Sequence, residues 1–311
     1  MRAAIIGLSG PILTAGEAAT LREHPPLGVI LFARNIENPA QLQALNASIR
    51  AILGPNTPIL VDQEGGRVAR LRPPHWPAFP PAASFEGGPD APCFANAAAI
   101  GATCRGVGFD VACAPVLDLR LPEGHGIIGD RAFSADPAEV ARLGGATLRG
   151  LQSAGVIPVI KHIPGHGRAL ADSHLELPRV TATAAALEAD IAPFRALAGL
   201  GAWAMTAHIL YEAWDAALPA TLSPTIIRDV IRDAIGFDGF LISDDLAMKA
   251  LSGTPADLAA QALAAGCDAV LHCTGEPAET AALLAACPEA SPQALARLAA
   301  SRAALQQRVP A

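Results

Sequence analysis

The sequence predicts a (β/α)8 barrel, and three observations carry that prediction. Eight short apolar runs rich in β-branched residues recur along the chain, longer amphipathic or Ala-rich stretches separate them, and no GxGxxG follows the first run. A run that is apolar throughout reads as a parallel strand buried on both faces. Eight alternations in about 300 residues match the repeat count of a closed barrel. The missing glycine fingerprint weighs against an open, dinucleotide-binding sheet.

The runs are AAIIGL (3–8), GVILFA (28–33), PILVDQ (58–63), DVACAPVLDL (110–119), VIPVIKH (156–162), WAMTAHI (203–209), GFLISDD (239–245) and DAVLHC (268–273). Between them, NPAQLQALNASIRAIL (38–53) and DPAEVARLGGATLRGLQSAG (136–155) each open with an Asn–Pro or Asp–Pro helix start. LSPTIIRDVIRDAIG (222–236) places Ser223 as cap, Pro224 at the first helical position and Gly236 as stop. The Pro-rich LRPPHWPAFPPAASF (71–85) is a stiff excursion after the third strand and not a linker. Residues 1–311 are therefore expected to form one domain.

Only 16% of the 311 residues are charged and 51% are hydrophobic, so most of the chain is interior or packed surface. The net charge of −7, without any basic run, argues against nucleic acid as a partner. No segment approaches the roughly 18 apolar residues of a membrane span. The run at 3–8 is shorter than a signal-peptide core and suits a buried first strand. Six cysteines (93, 104, 113, 267, 273, 287) show no CxxC pair and suit a reducing compartment, so a cytoplasmic protein without a membrane partner is expected.

In a barrel, chemistry gathers where the strands end and the βα loops converge. Here the third run ends in Asp62, the fourth in Asp118, the fifth in Lys161 and His162, the sixth in His208, the seventh in Asp244 and Asp245, and the eighth in His272. One polar strand end is ordinarily a helix cap; so many on one rim predict a polar pocket. The densest stretch is KHIPGHGRALADSHLELP (161–178), and Lys161 is one of only two lysines. A metal site on His162, His166 and His174 is disfavoured, because Pro164, Gly165 and Gly167 forbid a helix that would align imidazoles and Lys161 opposes a cation. A phosphate site is disfavoured because no helix follows the glycines before Pro178. An acid/base loop fits best: Asp172 and His174, one residue apart, point the same way in an extended segment, and a carboxylate beside an imidazole fixes its tautomer.

Several motifs in order carry a family resemblance. VDQEGGRVARLR (61–72), APVLDL (114–119), GDRAF (129–133), the KHIPGHG and ADSHLELP pair, and ISDDLAM (242–248) together resemble the β-N-acetylhexosaminidases of glycoside hydrolase family three. The match is closest to single-domain bacterial enzymes that act in peptidoglycan recycling. The resemblance implies a retaining exo-glycosidase releasing terminal β-linked N-acetylglucosamine from muropeptides. Such chemistry needs no metal or organic cofactor, and a monomer is expected. The resemblance implies Asp244 as nucleophile, His174 as general acid/base and Asp172 as its orienting partner. It further implies Asp62, Arg70, Arg131, Lys161 and His162 as the residues that hold the terminal sugar. Ile163 and Ala247 depart from the commoner Phe and Ser of the pattern, at positions with no implied role. A retaining mechanism needs a group to attack the anomeric carbon and a proton for the leaving oxygen, and an imidazole supplies that proton near neutrality. A β-glucosidase, a phosphorylase using phosphate in place of water, and a sugar-binding protein without catalysis are the alternatives. Arg67 is as well explained by a salt bridge, His166 by bracing of its loop, Asp245 by a helix cap, and Trp76, Trp203 and Trp214 by packing.

Overall fold

The computed structural model describes residues 1–306; residues 307–311 of the expected domain lie outside the described residues. Eight parallel strands close into a barrel. They are β1 (Arg2–Gly7), β2 (Pro26–Leu31), β3 (Ile59–Val61), β4 (Val111–Ala112), β5 (Ile157–Ile163), β6 (Trp203–Thr206), β7 (Leu241–Asp245) and β8 (Ala269–His272). Each pairs with its sequence neighbours, and β8 closes on β1 through Ala4 opposite Val270 and Ile6 opposite His272.

Period-two alternation explains why the strands read as unbroken apolar runs. Ile5, Ile30, Leu60, Val111, Val159, Trp203, Met205, Ile242 and Leu271 pack together inside the barrel. Their neighbours Ala4, Ile6, Val29, Val61, Ala112, Ile160, Ala204, Leu241 and Val270 belong to the other core, between barrel and helices. Both faces of each strand are thus removed from water. Trp203 is a core residue, its ring 4.6 Å from that of Phe240 and its Nε1 donating to Ser301 Oγ at 2.9 Å.

The helices are α1 (Ala15–Glu23), α2 (Pro39–Leu53), α3 (Asp90–Gly106), α4 (Pro137–Ser153), α5 (Ala184–Leu197), α6 (Pro255–Ala265), α7 (Pro277–Ala286) and α8 (Pro292–Gln306). The two starts read from the sequence hold: Asn38 accepts from the Gln41 amide, and Asp136 from the Ala138 amide, both at 3.0 Å. The third helical stretch holds as well: Pro224 opens it, Ser223 Oγ accepts from the Ile226 amide at 3.0 Å, residues Ile226–Ala234 run as a π-helix, and Gly236 stops it at φ +75°. One reading is corrected. The fourth run pairs as a regular strand only over Val111–Ala112. Pro115 has no N–H to give the ladder, and regular pairing stops before it.

Candidate active site

The third strand delivers the first half of the site. After β3 the chain turns into a two-stranded hairpin, Gln63–Gly65 with Val68–Ala69. The buried Gln63 amide pins it by accepting from the Arg70 and Leu71 amides at 2.8 and 3.0 Å and donating to the Leu71 carbonyl at 3.0 Å. The turn requires glycine: Gly65 and Gly66 sit at φ +97° and +57°, and a Cβ on Gly65 would lie 2.4 Å from the Pro80 carbonyl. This hairpin aims Asp62, Glu64 and Arg70 at the end of β5.

There the charges interlock. Lys161, 2% exposed, contacts Asp62 at 3.2 Å and Glu64 at 2.6 Å. Arg131 grips both oxygens of Glu64 at 2.8 Å, and Arg70 bonds Asp62 at 3.0 Å. Burial opposes ionisation of Asp62, Glu64, Lys161 and Arg131, yet the facing charges outweigh it. Lys161 and Arg131 are held above their ordinary values, and Asp62 and Glu64 below theirs. Sequence reasoning missed Glu64. Its signal was the i, i+2 spacing from Asp62, which puts both carboxylates on one side of an extended segment.

Asp118, another strand-end residue to which the sequence assigned no role, is a fully buried anchor. Its carboxylate accepts from His162 Nδ1 at 2.7 Å, from the His162 amide at 3.1 Å and from the His166 amide at 2.7 Å. The His162 ring is thereby fixed with Nε2 as its free nitrogen. His166 lies edge-on to His162, with ring centroids 5.5 Å apart, and burial pushes its pKa down to about 4.

From β7 comes Asp244. Burial opposes its charge, but His208, His162, the Asp245 amide at 2.8 Å and Lys161 together keep its pKa below the ordinary carboxylate value. Asp245 is a tie between loops, accepting from the Ala247 and Cys273 amides at 3.1 and 3.0 Å. His208 is satisfied by Thr221 Oγ1 at 2.7 Å and the Asp245 carbonyl at 3.0 Å.

The loop after β5 carries His174, whose side chain is 59% exposed. Asp172 Oδ1 accepts from its Nδ1 at 2.8 Å and from its amide at 2.9 Å. The pair was expected from an extended segment and is made instead by a turn, in which the Leu175 amide donates to the Asp172 carbonyl at 2.9 Å. Burial raises and the His174 bonds lower the Asp172 pKa, and the bonds prevail.

These groups surround one cavity of about 290 Å³ at the carboxyl end of the barrel. Asp62, Arg70, Arg131, Lys161, His162, His174 and Asp244 all line it, with Glu64 beside them; Asp172 stands behind His174. The walls also carry Phe32, Ile127, Met205 and Leu271, so a ligand meets polar and apolar surface together. Arg67 also lines the cavity, but its guanidinium is engaged by Asp130 and the carbonyls of Gly126, Ile127 and Ile128. Trp76, Trp203 and Trp214 are not among the lining residues.

The comparisons agree with this architecture. Residues 13–307 match the glycosyl hydrolase family 3 N-terminal domain. A beta-hexosaminidase of Alkalilimnicola ehrlichii is 42% identical over 94% of this chain and 86% of its own. The structure of NagZ from Neisseria gonorrhoeae in complex with N-trifluoroacetyl-D-glucosamine superposes with a TM-score of 0.88 at 32% identity, covering 98% of this chain and 93% of that one. A family 3 β-N-acetylglucosaminidase from Paenibacillus gives 0.87 at 34% identity, over 98% of this chain and 61% of that longer one. The chain belongs to glycosyl hydrolase family 3. It is a glycoside hydrolase with a (β/α)8 barrel.

Proposed function

We propose that this enzyme is a β-N-acetylhexosaminidase, specifically a retaining exo-β-N-acetylglucosaminidase. In this reading it removes terminal β-linked N-acetylglucosamine from peptidoglycan fragments of the GlcNAc–anhydroMurNAc type. It works in the cytoplasm as a monomer, with residues 1–311 as one catalytic unit. The observation that carries the reading is the shared cavity, lined at once by the ionised Asp244, by His174 and by the five sugar-holding candidates. The names of the relatives support the hexosaminide substrate, and the small cavity suits one terminal sugar better than the interior of a polymer.

The mechanism follows from the side chains. Asp62 accepts bonds from sugar hydroxyls, while Arg70, Arg131 and Lys161 donate to hydroxyl or amide oxygens and His162 presents Nε2. The Asp244 carboxylate attacks the anomeric carbon and the bond to the leaving oxygen breaks. His174 delivers its proton to that oxygen from Nε2, since Asp172 holds Nδ1. The imidazole then takes a proton from water, whose oxygen displaces Asp244 and restores the β configuration. Using an imidazole also avoids a second carboxylate charge facing Asp244.

Assaying 4-nitrophenyl β-N-acetylglucosaminide against the corresponding β-glucoside, with and without phosphate, tests the reading. Turnover of the first substrate alone, independent of phosphate and with the β product formed first, is expected. Preference for the glucoside, or turnover that requires phosphate and yields a sugar phosphate, would replace it. Faster cleavage of an anhydro-muropeptide than of a chitin disaccharide is expected if the natural substrate is as proposed.

A further inference from the structure

The loop that carries His174 is exposed at every position from Leu170 to Glu176 except three, and only Ser173 is fully buried, at 4% exposure. Leu170 and Leu175 on either side are 67% and 66% exposed. A small polar side chain turned inward from an otherwise outward loop requires partners. Ser173 has two. Its Oγ lies 3.4 Å from Nε2 of the buried His166, and its carbonyl accepts from the Ala250 amide at 3.1 Å. His166 is in turn fixed through its amide to Asp118, which holds His162. Ala250 belongs to the segment that follows Asp244. Ser173 therefore connects the loop of the acid/base to the ring beneath the sugar site and to the loop of the nucleophile.

We infer that Ser173 is a positioning residue, a latch that seats His174 over the cavity by docking on His166 and the Asp244 loop. The inference rests on the acid/base role proposed for His174. Without the latch, the Asp172–His174 pair remains intact but its imidazole is held over the leaving oxygen for less of the time. Loss of orientation lowers the rate where protonation limits it and spares it where the leaving group departs unaided.

The test compares kcat on methyl β-N-acetylglucosaminide, a poor leaving group, with kcat on the 4-nitrophenyl glycoside. Ser173→Ala is expected to lower the methyl-to-nitrophenyl ratio by about tenfold. Ser173→Thr, which keeps the hydroxyl, is expected to restore the ratio to within about twofold. His166→Leu is expected to shift it as Ser173→Ala does, and the double variant no further than either single one. An unchanged ratio in Ser173→Ala, whether both rates hold or both fall together, overturns the latch. His174→Ala serves as reference: a shifted ratio there with none in Ser173→Ala overturns the latch alone. An unshifted ratio in His174→Ala overturns the acid/base reading and the latch with it.

Discussion

The side of the cavity proposed to hold the sugar and the loop that carries His174 are built on opposite principles. On the first, Asp62, Glu64, Lys161 and Arg131 are locked to one another by buried ion pairs, with Asp118 gripping His162 beneath. On the second, an exposed imidazole hangs on a turn, steadied by Asp172 and by the two contacts of Ser173. The contrast fits a division of labour between the two sides. The charges proposed to meet the sugar are preorganised at the ends of strands, where the barrel supports their burial. The imidazole proposed to give up a proton, let the aglycone leave and admit water stands instead on an exposed turn.

If the division holds, substitutions on the two sides differ in kind as well as in size. The largest effect is expected at the proposed nucleophile: Asp244→Ala lowers kcat by at least about 10³-fold without comparable loss of folding. His174→Ala comes next. It slows cleavage of poor leaving groups by about 10²-fold or more and the nitrophenyl substrate far less, measured as kcat on the two substrates.

Glu64→Gln tests the buried side. Lys161 and Arg131 lose the single counter-charge they share, and thermal or denaturant unfolding should reveal a loss of about 3 kcal/mol. Asp172→Asn, on the exposed loop, is expected to change stability by less than about 1 kcal/mol while impairing turnover of poor leaving groups. Equal stability losses in the two variants would erase the contrast.

The pH dependence of stability sharpens it further. His166 has a folded pKa of about 4 against an ordinary 6.5, so between those values the unfolded chain binds the proton that the folded one refuses. Stability therefore rises with pH across that window and is lost as pH falls through it, by up to about 3 kcal/mol. Unfolding midpoints recorded from pH 7 to pH 4 in the wild type and in His166→Asn should show a flatter slope in the variant.

Much of this was legible in the chain. The eight apolar runs announced the barrel because strands buried on both faces leave no polar alternation, and polar residues at their ends announced the rim. Residues far apart in sequence, from Asp62 to Asp244, came together because a closed barrel gathers all its strand ends at one place. What escaped has physical reasons too. Glu64 hid within a glycine-rich motif, its meaning supplied by Lys161 and Arg131 across the cavity. The Asp172–His174 pair was right for a reason that was not, since a turn rather than an extended segment brings the groups together. The π-helix at Ile226–Ala234 gives no sign in its apolar spacing, because the same residues suit either bond pattern. Ser173 is silent in sequence, because only the folded loop decides which of its residues turns inward.

The proposed reaction passes through a covalent glycosyl-enzyme, which can be trapped. A fluorinated N-acetylglucosaminyl fluoride that forms the glycosyl-enzyme quickly and hydrolyses it slowly should inactivate the protein, and peptide mass spectrometry should then find one hexosaminyl adduct on Asp244. An adduct on another carboxylate, or hydrolysis of the reagent with inversion and no adduct at all, would contradict the account.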